Sequence, residues 1–234
     1  MANALASLLT DGAVEVTLVQ FSATAAVLVD ALLIESPADR AFAVGQALAI
    51  DPVTTDVPPF EGGTNFEDAF EMTTAAVTGS PRFASADFQI FNMLTDGNPT
   101  THNNLGLPDL DEASRLARAR MFGKDARDDA ITAGIDAISF EALGSTPADI
   151  TYLETLTHPS APFHVTGTPL VFPDPLQSQG FILEIAGVSD IEDALIAKFD
   201  AAGITPEPGT LMRMVIGAAS LLRQQRGVTT HRAM

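Results

Sequence analysis

The sequence contains no cysteine among its 234 residues. Disulfide bridges and metal sites with thiolate ligands are therefore excluded, whichever compartment the protein occupies. Basic residues are also scarce, with 12 Lys and Arg against 30 Asp and Glu and a formal net charge of −18. Because so acidic a chain repels a phosphate backbone, we expect no binding to nucleic acid.

The one cluster of positive charge in the body of the chain is interrupted by acidic residues. It lies on a predicted helix and consists of Arg115, Arg118, Arg120, Lys124 and Arg127. Mixed charge of this kind is typical of a solvated helix face. We therefore interpret the cluster as surface and not as a binding patch.

Signatures of familiar enzyme families are missing as well. The chain has no Gly-x-Ser-x-Gly elbow, no His-Glu-x-x-His helix and no phosphate-binding glycine loop with lysine. His102, His158 and His164 are scattered through predicted loops and lack the spacing of a helical metal pair. The sequence predicts a protein that is not an enzyme, with no catalytic residues.

A hydrophobic content of 46% is enough for a substantial core. Apolar periodicity predicts strands over residues 14–21, 25–29, 88–94, 135–143 and 181–186. It predicts helices that begin near residues 37 and 64 and others over 111–134, 148–157 and 189–199. Strands that alternate with helices favour an α/β fold with a mainly parallel sheet.

Two polar residues are placed where such a fold binds ligands. Gly62 and Gly63 form a tight loop that presents the hydroxyl of Thr64 at the start of a helix. Asp96 follows the buried strand 88–94 at its carboxyl end. Thr64 could instead cap the helix, and Asp96 could bond its own turn. Together, a hydroxyl and a carboxylate suit a hard cation such as Mg²⁺.

Residues 62–69 and 94–99 resemble the second and third segments of the metal-ion-dependent adhesion site of von Willebrand factor A (vWA) domains. The order of elements between Val14 and Phe199 is also similar to that family. The resemblance implies a Rossmann-like three-layer sandwich over residues 1–203. It further implies Mg²⁺ or Mn²⁺ held by Thr64 and Asp96, and a protein partner whose acidic side chain completes the metal's ligands. The expected rim residues are Asn65, Asn98 and Thr100.

The family's first segment, Asp-x-Ser-x-Ser at the end of a central strand, has no counterpart in residues 1–13. Without that strand, two inner strand edges would have to meet or stay unpaired. The chain is then a truncated vWA domain, or a divergent one that serves as a metal-free surface or matrix protein. A third alternative is an α/β hydrolase or phosphotransferase that uses Asp96.

The tail, residues 204–234, resembles a PEP-CTERM sorting signal. Such a signal joins a Pro-Glu-Pro motif, here Pro206, Glu207 and Pro208, to an apolar helix over 211–222 and an arginine cluster, here Arg223 and Arg226. The resemblance implies export in a Gram-negative bacterium, an inner-membrane intermediate and processing by an exosortase-type enzyme. The final location would be the cell surface or the extracellular matrix. An ordinary amphipathic C-terminal helix is the alternative.

Overall fold

A computed structural model describes residues 14–49, 63–95, 97–103, 111–160, 162–165, 180–185 and 212–219. The strands are β1 (Val14–Phe21), β2 (Ala25–Leu33), β3 (Phe88–Thr95), β4 (Ala137–Leu143), β5 (Phe163–Val165), β6 (Phe181–Ile185) and β7 (Met212–Ala219). The α-helices in these ranges are α1 (Pro37–Ala49), α2 (Phe66–Gly79), α3 (Glu112–Thr132) and α4 (Pro147–Leu156), and Phe83–Ser85 form a 3-10 turn.

The strands form one seven-stranded sheet in the order β2-β1-β7-β3-β4-β6-β5. Only β2 runs antiparallel to its neighbour, because it forms a hairpin with β1. Every other adjacent pair in the sheet is parallel. Helices α2, α3 and α4 pack against one another in sequence, and α2 and α4 also contact the sheet. The predicted α/β fold with a mainly parallel sheet flanked by helices is therefore confirmed.

The sheet position between β1 and β3 is filled by a strand from the far end of the chain. All eight residues of β7 are in register with β1, and the seven from Met212 to Ala218 are also in register with β3. The two inner strand edges thus pair with a strand between them. The predicted domain boundary after residue 203 separates β7 in sequence from the sheet that it completes.

The helix predicted over residues 211–222 is therefore wrong for residues 212–219, which are a strand. An apolar run of this length cannot be assigned by periodicity alone, because a strand buried on both faces and a helix buried on all sides give the same pattern. Helices long and apolar enough to cross a membrane are not found in the part of the chain that the structure describes. The final helix predicted over 189–199 lies outside that part.

The core on the helical side of the sheet is built around Phe66, the first residue of α2. Its side chain is completely buried and its ring lies 5.9 to 6.5 Å from those of Phe21, Phe70, Phe140 and Tyr152. Burying one such aromatic side chain stabilises the fold by about 1.5–3 kcal/mol. Because these rings come from two strands and two helices, they fix α2 relative to the ends of the strands.

Helix α3 approaches this aromatic cluster closely at Gly123. A Cβ atom there would lie 2.7 Å from the hydroxyl of Tyr152 and 3.1 Å from Cβ of Phe66. A side chain at this position would push α3 away from α2 and α4. The glycine therefore sets the spacing of the three helices that pack over the sheet.

The central position of β7 predicts that Val215→Pro destabilises the whole domain. Val215 is in register with Thr17 on one side and Phe91 on the other, and proline would remove a ladder donor between two strands. We expect a loss of at least about 2 kcal/mol in the free energy of unfolding, measured by urea titration with far-UV circular dichroism. Val228→Pro, beyond the strand, is the matched control. Equal midpoints for both variants and the parent would show that residues 212–219 lie outside the fold.

Candidate functional site

Three polar segments meet at the edge of the sheet where the parallel strands end. They are the hairpin turn 22–24 after β1, the segment 63–65 before α2, and the loop 97–103 after β3. Backbone hydrogen bonds join all three, from Asn65 N to Ser22 O at 2.7 Å and from Thr100 N to Thr64 O at 2.8 Å. Ligands of open α/β sheets bind at this edge, so the segments form a candidate site.

Thr64 is held through its backbone, which leaves its hydroxyl available. Its N–H donates to Thr100 Oγ1 at 2.8 Å, and its carbonyl accepts from the N–H groups of Thr100 and Thr101. Its own hydroxyl has no hydrogen-bond partner among the described residues, although the residue is only 9% exposed. Helix α2 begins at Phe66, so its N-cap is Asn65 and not Thr64.

Asn65 is the N-cap of α2 and also ties the three segments together. Its side-chain oxygen accepts from the N–H of Asp68, which caps the helix. Its side-chain nitrogen donates to Ala23 O at 3.0 Å and to Asn103 Oδ1 at 2.8 Å. The residue is 1% exposed. The sequence predicted Asn65 as a rim residue, whereas the structure makes it a buried structural link.

Gly63 allows the loops to come into close contact. A Cβ atom on it would lie 2.9 Å from Thr101 Cγ2 and 3.0 Å from Thr100 Oγ1. Any side chain at this position would therefore separate the segment before α2 from the loop after β3. Gly63, which the sequence predicts to form a tight turn, thus also allows this close approach.

Asn98 and Thr100, the other two predicted rim residues, lie on the loop 97–103 and have different partners. Thr100 bonds to the backbone of Thr64, as described, whereas Asn98 Oδ1 accepts from Arg120 Nη2 of α3 at 2.7 Å. Asp96 lies outside the described residues, as do Pro206, Glu207, Pro208, Arg223 and Arg226. The structure thus brings Thr64, Asn65 and Thr100 together.

Two buried hydroxyl groups near this edge have no hydrogen-bond partner among the described residues. Ser22 Oγ at the end of β1 and Thr101 Oγ1 in the loop after β3 are both inaccessible and unpaired. A buried polar atom without a partner costs about 1–3 kcal/mol, and such atoms are rare in folded proteins. A ligand that bonds to these two hydroxyls would offset that cost.

The outer rim of the site is acidic. Asn103 donates through its backbone to Glu67 Oε2 at 2.7 Å and through its side chain to Glu71 Oε2 at 3.0 Å. Burial, followed by repulsion from Glu67, raises the pKa of Glu71, and the bond from Asn103 opposes that shift. Acidic residues in the first turn of α2 are stabilised by the helix dipole. The rim favours cations over anions.

The oxygen donors at this edge match the preferences of Mg²⁺ and Mn²⁺ in kind, because both cations bind hydroxyl and carboxylate oxygens. The unpartnered Thr64 hydroxyl is such a donor. Groups of three or more His, Asp or Glu side chains that could hold a metal are not found within the described ranges.

Comparisons of the chain with protein-family models, curated proteins and solved structures found no match. The candidate site therefore depends on the sequence and on the geometry described above.

Two members of the basic cluster of α3 do not lie on the solvated face that the mixed charges of the helix predict. Arg127 turns inward and donates to the carbonyls of Leu156 and Thr157 at 3.1 and 2.7 Å. Arg120 reaches Asn98 at the sheet edge. The charges of the helix alone do not predict which arginines turn inward. That depends on the packing of α4 and of the loop after β3 against the helix.

The role of Asn65 predicts that Asn65→Ala costs more than the loss of a helix cap alone. A cap is worth about 1 kcal/mol, and removing the two buried amide donors adds to this, so we expect about 2–4 kcal/mol in urea unfolding. Asp111→Ala removes the cap of α3, where the side chain bonds only within that cap, and is the matched control at about 1 kcal/mol. Hydrogen exchange should also accelerate in residues 22–24 and 97–103. Equal costs for the two variants would contradict the linking role.

Proposed function

We propose that this protein is a non-enzymatic binding module of the vWA type whose partner docks at the edge of the sheet formed by residues 22–24, 63–65 and 97–103. The observation that carries the proposal is the Thr64 hydroxyl, which has no partner among the described residues. The backbone of Thr64 is held at this edge by hydrogen bonds to the side chain and to the N–H of Thr100. A conformation fixed in this way suits binding, because little ordering entropy remains to be lost when a partner arrives.

The finer assignment to the vWA type is supported by the order of the strands. The resemblance places residues 16–22 at the family's second strand and expects a first, central strand beside it. Here β7 lies beside β1 at that position. The end of β7, Gly217-Ala218-Ala219, carries no carboxylate, so it does not replace the family's Asp-x-Ser-x-Ser segment.

In the proposed mechanism, Thr64 and Asp96 hold Mg²⁺ or Mn²⁺, Asp96 either directly or through water. When bound, the cation would accept an acidic side chain of the protein partner. The acidic rim at Glu67 and Glu71 supports the binding of a cation at this edge. The same rim would repel an acidic partner in the absence of the metal, which makes the interaction dependent on the cation.

The export route is part of the proposal and is supported by the sequence of the tail alone. The chain would pass through the inner membrane and reach the cell surface or matrix, with an exosortase-type enzyme acting at the tail. Because β7 lies within the tail, processing at Pro206–Pro208 would remove the central strand of the sheet. Processing of the tail is therefore compatible with the folded module only where the cut lies after Ala219.

The metal mechanism predicts saturable binding of Mg²⁺ or Mn²⁺ by the chain, measured by isothermal titration calorimetry in metal-free buffer. Thr64→Val and Asp96→Asn should each weaken binding at least about tenfold, since each removes one oxygen ligand. Thr78→Val removes an exposed hydroxyl that bonds only within α2 and should leave binding unchanged. Thermal unfolding should show that all three variants remain folded.

Two results would reject the mechanism in favour of its alternatives. Wild-type protein that binds neither cation would support a metal-free surface or matrix protein. Turnover of phosphate esters that is lost in Asp96→Asn would support a phosphotransferase or hydrolase, because a binding module shows no turnover.

A further inference from the structure

Arg120 of α3 is a partly buried cation whose partners are all neutral. Its Nη2 donates to Asn98 Oδ1 at 2.7 Å, and its guanidinium lies 5.5 Å from the centre of the Tyr152 ring. Its Nε is inaccessible and has no hydrogen-bond partner among the described residues. No ion pair joins Arg120 to a carboxylate of the described residues. In a chain with 30 acidic residues, this arrangement is unusual.

The other partly buried arginines for which the structure gives ion pairs show the contrast. Arg82 Nη1 contacts Glu15 Oε2 at 2.9 Å, and Arg127 pairs with Asp128 while also donating to two carbonyls. Both guanidinium groups thus have a negative charge beside them. Arg120 carries the same positive charge, but no carboxylate of the described residues forms an ion pair with it.

Two contacts with Tyr152 position Arg120. The hydroxyl of Tyr152 donates to the backbone carbonyl of Arg120 at 3.3 Å, while the Tyr152 ring supports the guanidinium. Burial raises the pKa of Tyr152, so the phenol stays neutral and keeps its proton for this bond at physiological pH. A guanidinium fixed over an aromatic ring loses little entropy when it binds a carboxylate.

The position of Arg120 connects it to the candidate site. Asn98, its polar partner, is two residues before Thr100, which bonds to Thr64. Both contacts are therefore made by the single loop 97–103 at the edge of the sheet. A guanidinium has five N–H donors in a planar fork that matches a carboxylate, and only one of them is used by Asn98.

We propose that Arg120, together with the side-chain amide of Asn98, binds a carboxylate of the protein partner directly, without a metal. This inference rests on the proposed binding function and adds a second, metal-independent contact to it. The carboxylate would occupy the exposed side of the guanidinium and provide the negative charge that the described residues do not supply.

The test uses the full chain, with sodium acetate as the probe in metal-free buffer at constant ionic strength. Side-chain resonances of Arg120 Nε–H and of the Asn98 amide are followed by ¹H–¹⁵N NMR. We expect saturable shifts at both groups, with a dissociation constant on the order of 10–100 mM for a single carboxylate. In Arg120→Gln the saturable shift at the Asn98 amide should disappear.

Three further variants separate this contact from general effects of charge and folding. Arg115→Gln, on the exposed face of the same helix, should bind acetate like the wild type. Arg120→Lys keeps the charge but loses the fork, so binding should weaken about tenfold, and it replaces Arg120→Gln if that variant does not fold. Thr78→Val removes an exposed hydroxyl that bonds only within α2 and should also bind acetate like the wild type.

The proposal is overturned if the Asn98 shift persists unchanged in Arg120→Gln or Arg120→Lys. It is also overturned if the wild type shows only linear shifts that are equal at Arg115 and Arg120. Because the acetate titration contains no metal, its failure leaves the metal mechanism open, and failure of the metal titration leaves this contact open.

Discussion

The fold depends on the two-sided pairing of β7 between β1 and β3. β1 is buried along its whole length, and β3 is buried except at its first residue, so an unfilled position between them would leave two rows of backbone donors and acceptors without partners. Each unmade buried hydrogen bond costs about 1–3 kcal/mol, and a few of them would equal the entire 5–15 kcal/mol stability of a typical domain. The candidate site depends on the same pairing, because the segments 22–24 and 97–103 follow β1 and β3 directly. Their separation is set by the strand between them.

The loops at the edge of the sheet are held together by hydrogen bonds of backbone and side-chain amide groups and not by ion pairs. Asn65 caps α2 and bonds to both neighbouring segments, while Thr64 is held by Thr100. The hydroxyl groups of Ser22 and Thr101 at this edge have no hydrogen-bond partner among the described residues. A site of this kind is preorganised, so its binding energy is not spent on ordering the loops. Arg120 follows the same principle, because Tyr152 and Asn98 fix its position before any anion arrives.

Elements with a clear period could be predicted from the sequence. The spans of the strand Val14–Phe21 and of the helix from Glu112 to Thr132 match the prediction closely. The alternating sequence of β1 is typical of a strand covered on one face, however, and all eight of its residues are buried. Two features could not be predicted. The cap of α2 falls on Asn65 and not on Thr64, and a shift of one residue is within the uncertainty of any helix boundary. The inward turn of Arg120 depends on Tyr152 and Asn98, which are distant in sequence. Such tertiary contacts leave no local signal.

The apolar segment of the tail is the clearest case in which the sequence alone does not determine the structure, because this segment suits two environments. As a helix, about a dozen apolar residues extend about 18 Å, well short of the roughly 30 Å hydrocarbon core of a bilayer. As a strand, eight residues pair with β1 and seven of them also pair with β3. Within the sheet, the backbone N–H and C=O groups of this segment find partners in the neighbouring strands, and eight residues are long enough for this. Because the same residues cannot lie in both places at once, membrane insertion of the tail and an intact central strand are alternative states. Any sorting role of the tail must precede formation of the sheet or open it between β1 and β3.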